Sequence, residues 1–388
     1  MQAGPTISTR GTVLAHTTGD FNGDGYTDLF YAGPISPFEN TPVGVHFLIN
    51  SNGNFMDSTT ERFHESVPTL IHAHRANVAD FNGDSVPDIY ISASGYDVQP
   101  FAGEKNLLLL SSGGKYNSIY LSRVGFTHGS AVADIDKDGD IDIVETDLTG
   151  PSPGNYVLVN DGSGNFTEYS NRVTGTSNLF TSVALVDVNR DDFPDLVLGG
   201  SEDIVPSVLI LNDGSGSFAT ATDLPAISGY GVVVDIEPSD FTGDGKIDLL
   251  LSRTTGFSSP FGFYGDRRIQ LLQGDGADNF TDITSTAIPE EPESSNRWII
   301  DLKAFDYNKD GNLDFVGQYD DLSNQGYTRV IWENNGNSTF TPRSPSELCS
   351  PGFIFPVDAD NDGGVDFLRT SYGFSSTSLP WTLLKDIR

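Results

Sequence analysis

The sequence is poor in cysteine, in basic residues and in long apolar runs. Cys349 is the only cysteine, so no internal disulfide can form, and no CxxC or cysteine–histidine cluster predicts a zinc site. Lysine and arginine number 21 against 54 aspartates and glutamates, and the net charge of −33 excludes attraction to nucleic acid or anionic membrane as the basis of function. The first residues, MQAGPTISTR, lack the blocks of a signal peptide, and no apolar run reaches 18 residues. We therefore expect no nucleic acid partner and no membrane insertion.

The chain also has no convincing helical period, and one acidic, glycine-containing stretch recurs along its whole length instead. Consecutive copies start 52 to 66 residues apart, which predicts one repeat domain over residues 1–388 rather than two or three separate domains. The copies, called loops 1 to 7, are DFNGDGYTDLF from Asp20, DFNGDSVPDIY from Asp80, DIDKDGDIDIV from Asp134, DVNRDDFPDLV from Asp187, DFTGDGKIDLL from Asp240, DYNKDGNLDFV from Asp306 and DADNDGGVDFL from Asp358.

Each repeat contains four short strand-like runs, which in the third copy read SAVADI, IDIVETD, NYVLVND and NFTEYS. A second turn signature, such as VNDGSGNF at 159–166, separates the third and fourth runs and ends in an aromatic residue that we expect to pack between neighbouring units. One four-stranded sheet cannot bury both faces, so seven stacked units predict an all-β, seven-bladed propeller of four-stranded antiparallel blades. The expected blades are 11–60, 70–123, 124–172, 176–224, 228–288, 296–345, and 350–388 together with 1–10.

The two ends of the sequence complement each other. The seventh unit has only three strand-like runs, whereas residues 5–10, PTISTR, form a run that belongs to no unit. We predict that this N-terminal strand supplies the outer strand of the seventh blade and so closes the ring.

The acidic loops have the spacing of a calcium site. Oxygen-bearing side chains stand at positions 1, 3, 5 and 9, position 7 offers its carbonyl, and glycine at position 6 allows a sharp turn. Asp, Asn and Gly also favour ordinary turns, but seven copies at one place in the repeat favour Ca²⁺, with up to seven sites, and magnesium suits such loops less well. The candidate ligands are Asp20, Asn22, Asp24, Tyr26 and Asp28; Asp80, Asn82, Asp84, Val86 and Asp88; Asp134, Asp136, Asp138, Asp140 and Asp142; Asp187, Asn189, Asp191, Phe193 and Asp195; Asp240, Thr242, Asp244, Lys246 and Asp248; Asp306, Asn308, Asp310, Asn312 and Asp314; and Asp358, Asp360, Asp362, Gly364 and Asp366.

The seven loops are not equivalent. Ser85 and Asp192 replace glycine at position 6, and Thr242 replaces Asn or Asp at position 3, so we expect weaker calcium sites in loops 2, 4 and 5. Only loop 3, with Glu145, has a glutamate at position 12, where an EF-hand carries its bidentate ligand, and its absence from the other six loops favours affinities of the extracellular range.

DFNGDGYTDLF and its copies resemble the FG-GAP or VCBS repeats of the integrin α-chain propeller and of bacterial and phage surface proteins. The resemblance covers almost the whole chain and implies a calcium-binding propeller. It further implies that ligands meet the loops that lie away from the calcium turns. Those loops are long here at 94–106, 146–155, 253–268 and 318–329.

Two groups of residues outside the acidic loops are candidates for ligand binding. The longest repeat concentrates aromatic and arginine side chains, which are common in interfaces and on sugar platforms but could equally pack the loop on its own blade. His74 and His128 each stand six residues before an acidic loop, near His72 and Arg75, and could bind an anionic or sugar ligand or be structural histidines. Trp332 and Trp381 are expected in the core. The aromatic and arginine candidates of the longest repeat are Phe257, Phe261, Phe263, Tyr264, Arg267 and Arg268.

These observations favour a non-enzymatic recognition or adhesion module that binds a cell-surface glycan or a surface protein. We expect it to be extracellular or on a cell surface. The alternatives are a virion tail or head decoration protein with a mainly structural role, whose partners are other virion or adhesin subunits, and, less favoured, a calcium-dependent enzyme acting on glycans. No Ser/His/Asp order, phosphate loop or Asp-box of the sialidase kind is present.

Overall fold

A computed structural model describes residues 2–7, 13–33, 40–149, 153–177, 179–201, 204–256, 266–289, 297–321, 329–343, 345, 348, 354–370 and 379–385. Within these residues no helix is both long and apolar enough to cross a membrane. The chain divides into two compact units, residues 1–171 with 353–386 and residues 172–352 with 387–388. The expectation of one domain over the whole chain stays a prediction.

The first unit contains four sheets. They are formed by β1 (Gln2–Ile7), β2 (His16–Gly19), β3 (Asp28–Ala32), β4 (Val43–Ser51), β5 (Asn54–Asp57), β6 (Thr69–Leu70), β7 (Ala73–Ala79), β8 (Asp88–Ala93), β9 (Leu107–Ser112), β10 (Lys115–Tyr120), β11 (Phe126–Ala133), β12 (Asp142–Thr149), β13 (Gly154–Asn160), β14 (Phe166–Tyr169), and, near the C-terminus, β27 (Ile354–Val357), β28 (Asp366–Thr370) and β29 (Leu379–Leu384). A 3₁₀ turn covers Thr60–Arg62.

The second unit contains three sheets of four strands each. They are formed by β15 (Phe180–Val186), β16 (Asp195–Gly200), β17 (Val208–Asn212), β18 (Phe218–Asp223), β19 (Val232–Ser239), β20 (Asp248–Thr254), β21 (Arg267–Gly274), β22 (Phe280–Asp282), β23 (Arg297–Phe305), β24 (Asp314–Asp321), β25 (Arg329–Asn334) and β26 (Phe340–Arg343). One short helix, α1 (Thr284–Ala287), follows β22.

Each sheet is an antiparallel blade in which consecutive strands pair. Blades 1 to 6 are β2–β5, β7–β10, β11–β14, β15–β18, β19–β22 and β23–β26, and in blade 1 the short β6 also pairs with β4. The seven-bladed β-propeller expected from the sequence is confirmed. Burial is greatest at the second strand of a blade: β8, β16 and β20 are buried at every residue, whereas the first strands β2 and β7 are mostly half-buried and the fourth strands are mostly exposed. Second strands covered on both faces therefore read as nearly continuous apolar runs.

Blade 7 has the predicted closure. Its sheet has the order β1-β29-β28-β27, and β1 pairs antiparallel with β29, with Gln2 opposite Leu383 and Ile7 opposite Leu379. The N-terminal strand is thus the outer strand of the last blade. It spans residues 2–7, slightly earlier in the chain than the expected 5–10.

Aromatic side chains fill the space between adjacent blades. In the first unit Phe47 of blade 1 stacks on Tyr116 of blade 2 with 4.9 Å between ring centroids. Phe166, the aromatic that ends a turn signature, packs edge-on against Phe81 of the preceding blade at 5.7 Å, as expected. In the second unit Trp332 stacks on Phe315 of its own blade at 4.8 Å and is fully buried in a core cluster that includes Phe241 and Leu250 of blade 5, which confirms its core position. The side chain of Trp381 lies outside the described residues.

Candidate functional site

Each acidic loop forms an identical connection between the first and second strands of its blade. Eight residues separate the two strands in all seven blades, 20–27, 80–87, 134–141, 187–194, 240–247, 306–313 and 358–365. Position 6 has a left-handed backbone in every copy, including the two without glycine, with φ of 66° at Ser85 and 70° at Asp192. Position 4 is also left-handed throughout, for example at Lys137 and Arg190, a feature that we did not infer from the sequence.

In loop 1 the carboxylate of position 1 organises the turn. Asp20 Oδ1 accepts hydrogen bonds from the N–H groups of Gly23 (2.7 Å) and Asp24 (3.1 Å). Its Oδ2 accepts one from Gly25 N–H at 2.8 Å. Loops 2 and 4 repeat this pattern on Asp80 and Asp187. A coiled backbone thus aims several amides at one carboxylate, which is the behaviour of an anion-binding nest.

The aspartate at position 9 ties the loop to the third strand. It is the first residue of the second strand in every blade and is buried in all seven. Asp28, for example, accepts hydrogen bonds from Phe21 N–H (2.9 Å) and from Asn50 N–H (2.7 Å). Burial raises the pKa of Asp28 to about 7, although these two hydrogen bonds oppose the shift. Burial likewise raises the pKa of Asp142 to about 7. Each carboxylate oxygen keeps a second lone pair, so a position-9 aspartate can still coordinate a cation.

A second set of side chains, asparagines at the end of the third strand, connects loops of adjacent blades. Asn160 Nδ2 donates to Ile141 O in loop 3 (3.2 Å) and to Phe81 O in loop 2 (2.8 Å). Asn50 donates in the same way to Thr27 O in loop 1 and to Ala359 O in loop 7, at 3.0 and 2.8 Å. We did not infer this role from the sequence. The signal that could have revealed it is the residue before the second turn, which is Asn50, Asn160, Asn212 and Asn334 in four blades but Ser111 and Gly274 in blades 2 and 5.

Loops 3 and 7 differ from the others because position 3 is aspartate. Three carboxylate oxygens lie within 4.8 Å of one another in each, from Asp134, Asp136 and Asp138 in loop 3 and from Asp358, Asp360 and Asp362 in loop 7. In both loops the position-1 Oδ2 still accepts a hydrogen bond from position 6, at 3.1 and 3.0 Å. The position-1 Oδ1 atom, however, is shielded from solvent and accepts no hydrogen bond from any described residue.

Loops 1, 2, 4 and 6 have asparagine at position 3 and are called Asn-type loops. In loops 1, 4 and 6 this asparagine donates to the aspartate at position 5, whereas in loop 2 the aspartate at position 5, Asp84, accepts from Ser111 Oγ instead. In loop 1 Asn22 Nδ2 donates to Asp24 Oδ2 at 2.9 Å, and Asn22 Oδ1 accepts from Asp24 N–H at 2.8 Å. An aspartate at position 3 has no such donor. Converging carboxylates with a buried oxygen that lacks a donor are a costly arrangement unless a cation neutralises them.

Loop 3 is the more acidic of the two Asp-type loops. Its position 7 is also an aspartate, and desolvation together with the carboxylates of Asp138 and Asp134 raises the pKa of Asp140. In loop 7 Lys385 Nζ lies 2.7 Å from Asp360 Oδ2 and offsets part of the negative charge. The oxygen-only donor set of both loops fits a hard divalent cation such as Ca²⁺. Bound there, calcium would supply positive charge that holds the position 1, 3 and 5 carboxylates together.

The histidine candidates form a stack in the first unit. The rings of His72 and His74 are 4.4 Å apart, and those of His74 and His128 on the adjacent first strand are 4.2 Å apart. Burial lowers the pKa of His72 to about 4 and that of His128 to about 3, so both are neutral. His74 Nε2 lies 3.1 Å from Ser94 Oγ, and Arg75 follows His74 on β7. These contacts favour a structural role for the stack over ligand binding.

The aromatic and arginine candidates between residues 257 and 268 include two arginines that line a pocket in the second unit. Phe257, Phe261, Phe263 and Tyr264 lie outside the described residues, whereas Arg267 and Arg268 begin β21 and are both partly exposed. The two arginines line a pocket of about 580 Å³. Asp282, Thr284, Ser285 and Pro289 also line it.

Comparisons with known proteins agree with this architecture. A model of the FG-GAP-like repeat matches residues 6–91 and 134–198. No curated protein matches the sequence. Crystal structures of BBS1N in complex with ARL6DN, soaked with lead or with mercury, align over 99% of this chain and 96% of theirs at 11% and 10% identity, with TM-scores of 0.52 and 0.54. At such identities the likeness shows the fold alone. The chain therefore contains two stretches that match the FG-GAP-like repeat, and its strands form a seven-bladed β-propeller.

Proposed function

We propose that this propeller is a non-enzymatic recognition module, stabilised by calcium, that binds a cell-surface glycan or a surface protein outside the cell. The observation that carries the proposal is the contrast between the two kinds of connection within the blades. All first-to-second connections have eight residues, whereas second-to-third connections range from four to thirteen residues (94–106). The shortest, 150–153, was expected to be a long loop over 146–155, but β12 and β13 include most of that stretch. Uniform connections are typical of a scaffold, and uneven ones are typical of a binding surface.

Calcium belongs to the scaffold in this proposal. The position-1 carboxylates of loops 1, 2 and 4 accept hydrogen bonds from their own backbone, and the Asp-type loops have an oxygen set that a divalent cation would complete. A ligand that binds only the folded state stabilises it by mass action. Glu145, at position 12 of loop 3, is paired with Arg123 and accepts a hydrogen bond from the Tyr90 hydroxyl, and the other loops have no glutamate at that position. Sites that lack a coordinating EF-hand glutamate suit the high calcium concentration outside cells, at a cell surface or at a virion surface.

The absence of catalysis is part of the same proposal. The buried carboxylates Asp28 and Asp142 have raised pKa values, which is a common property of general acids. Each of them, however, accepts backbone hydrogen bonds from its own loop and from the end of the third strand, at 2.7 to 3.3 Å. This arrangement supports a structural use of the two acids.

A glycan array probed with the intact chain, with calcium and with a chelator, tests the proposal. We expect binding to a defined set of glycans that weakens when calcium is removed and returns when calcium is restored. A flat array, together with failure to capture any protein from an intact cell surface, would contradict the recognition function. Release of reducing sugar from any arrayed glycan would contradict the non-enzymatic assignment.

A further inference from the structure

The pocket in blade 5 differs from the rest of the molecule in its charge. The chain has 21 basic residues against 54 acidic ones, yet two consecutive arginines, Arg267 and Arg268, line this one pocket. A volume of about 580 Å³ lies within the range of small-molecule sites. Ile227, Ile288 and Pro289 add an apolar wall, while Asp282 and Ser285 add hydrogen-bonding groups.

A buried polar network holds the pocket in shape. Arg253, opposite Arg268 on the neighbouring strand, is fully buried and donates to Gln270 Oε1 at 2.5 Å. It also donates to the carbonyls of Tyr230 and Pro225 at 3.3 and 3.2 Å, which fixes the segment that leads into β19. Gln270 Nε2 in turn donates to Asp282 Oδ2 at 2.8 Å. Two parts of the lining, the segment around Ile227 and the side chain of Asp282, are thus held in place by contacts within the protein.

The position of one arginine is set by an aromatic ring. The guanidinium carbon of Arg268 lies 5.3 Å from the centroid of Tyr230, a cation–π distance. The Tyr230 hydroxyl donates to Asp266 Oδ2 at 2.8 Å, and Asp266 Oδ1 accepts from Arg267 N–H at 2.8 Å. A guanidinium held in this way loses less rotamer entropy when it binds a ligand, and its planar fork matches a carboxylate.

From this arrangement we infer that the pocket binds a saccharide that carries a single carboxylate, an inference that rests on the proposed glycan recognition and names its ligand class. Arg268, held against Tyr230, binds the carboxylate, and Arg267 adds positive charge to the lining. The hydroxyl of Ser285 and the carboxylate of Asp282 bind sugar hydroxyls, and the apolar wall covers a ring face. The net charge of −33 repels a long polyanion, whereas a single carboxylate interacts mainly with charges within one Debye length, about 8–10 Å.

Two ligands that differ only at C6 test this inference directly. Methyl β-glucuronide has a carboxylate where methyl β-glucoside has a hydroxymethyl group, and a methyl sialoside offers the same carboxylate from the other common source. Titration of the intact, calcium-loaded chain should show binding of at least one acidic sugar about tenfold tighter than of the glucoside, the effect of one charge-assisted hydrogen bond. Equal affinities for acidic and neutral sugars, or no binding of either acidic sugar, would overturn the inference.

Variants locate the site. Arg268→Gln should weaken binding of the acidic sugar about tenfold or more, and Arg267→Gln should weaken it by a smaller factor. Arg343→Gln is the matched control, because it removes the same charge from an exposed arginine of blade 6 whose Nε lies 2.7 Å from Glu333. Ser285→Trp should block the pocket and abolish binding without changing the charge of the lining. Thr286→Trp, one residue further along α1, should leave the pocket open and the affinity unchanged. Acidic-sugar binding that survives the arginine and Ser285 variants would overturn the inference.

The two failures are distinguishable. If the arrayed glycans bind through neutral sugars, and the arginine variants bind them as the wild type does, the assigned ligand class is wrong and glycan recognition stands. If no arrayed glycan binds and the glucuronide titration is also flat, both the inference and glycan recognition are wrong.

Discussion

Loop 1 and loop 3 have similar sequences and the same length, yet they use their acids differently. In loop 1 the position-1 carboxylate accepts three backbone hydrogen bonds, and Asn22 shares two more with Asp24. In loop 3 an aspartate, Asp136, occupies the position of Asn22. The carboxylates of positions 1, 3 and 5 converge there, and Asp134 Oδ1 has no donor among the described residues. One side-chain atom at position 3, nitrogen or oxygen, thus separates a loop whose acids are hydrogen-bonded within the loop from one for which we propose a bound cation.

The strongest test of this comparison is the Asp136→Asn variant, measured with and without calcium. With calcium at about 100 times its Kd, occupancy of loop 3 should stabilise the wild type by about 2.7 kcal/mol, and the variant should lose most of this gain. Without calcium the variant should be more stable than the wild type. The asparagine relieves carboxylate repulsion in loop 3 and allows that loop to form the hydrogen bonds that Asn22 forms in loop 1. Denaturant unfolding in calcium and in chelator measures both free energies.

The control for that variant is Asp24→Asn, which makes the same charge change in loop 1. Its calcium-dependent loss should be smaller, because fewer carboxylates converge there and calcium affinity rises with ligand charge. Equal calcium dependence of the two variants, or an Asp136→Asn protein that is less stable in chelator, would show that the distinction between the loops is wrong.

The Asn160→Ala variant tests whether the two kinds of loop are independent. The side chain donates to loop 3 and to loop 2, so its removal leaves Ile141 O and Phe81 O without a donor. We expect unfolding to become easier by about 2 kcal/mol, the cost of buried carbonyls that lose their partner, and calcium binding at loop 3 to weaken as well. Thermal unfolding and calcium titration measure the two effects.

Asn165→Ala is the matched control in the same turn. The Asn165 side chain is exposed and, among the described residues, donates only to Asp161, so its loss should cost less than about 0.5 kcal/mol. If the two alanine variants are equally stable, Asn160 does not connect the loops in the way that its contacts indicate.

The smallest expected effect comes from Ser85→Gly in loop 2. Ser85 has a φ of 66°, a left-handed conformation that costs a residue with a side chain about 1 kcal/mol and costs glycine little. We expect the variant to be more stable by up to about 1 kcal/mol, less the greater entropy of glycine in the unfolded chain. Ser163→Gly, at an exposed serine without positive φ, should be neutral or destabilising, and the same gain at both positions would refute the explanation.

Much of the fold could be predicted from the sequence because it repeats. Seven acidic loops gave the number of blades, the apolar runs gave the strands, and the lone N-terminal run gave the strand that closes blade 7. Each of these signals is local or periodic. Calcium itself stays a prediction, supported by the donor sets of loops 3 and 7.

The ranking of the loops could be predicted only in part. The replacement of glycine at position 6 in loops 2 and 4, and of Asn or Asp at position 3 in loop 5, predicts that these three sites are weaker, which stays a prediction. The structure adds that position 3 separates the Asp-type loops from the rest. The role of the third-strand asparagines could not be predicted, because each bond joins residues that are far apart in the chain. Asn50 of blade 1, for example, contacts Ala359 of loop 7 only because these two blades are adjacent.

The sequence by itself determined the repeat, the acidic turns and the strand order, because a β meander is encoded by side-chain alternation and turn residues within each unit. Only the tertiary structure decided which oxygens remain without a donor and which side chains line the pocket of blade 5. Both depend on groups brought together from different strands, such as Arg253 beneath Arg268 or Asn160 between two loops. Convergence of this kind is a property of packing, which no local pattern in the chain specifies.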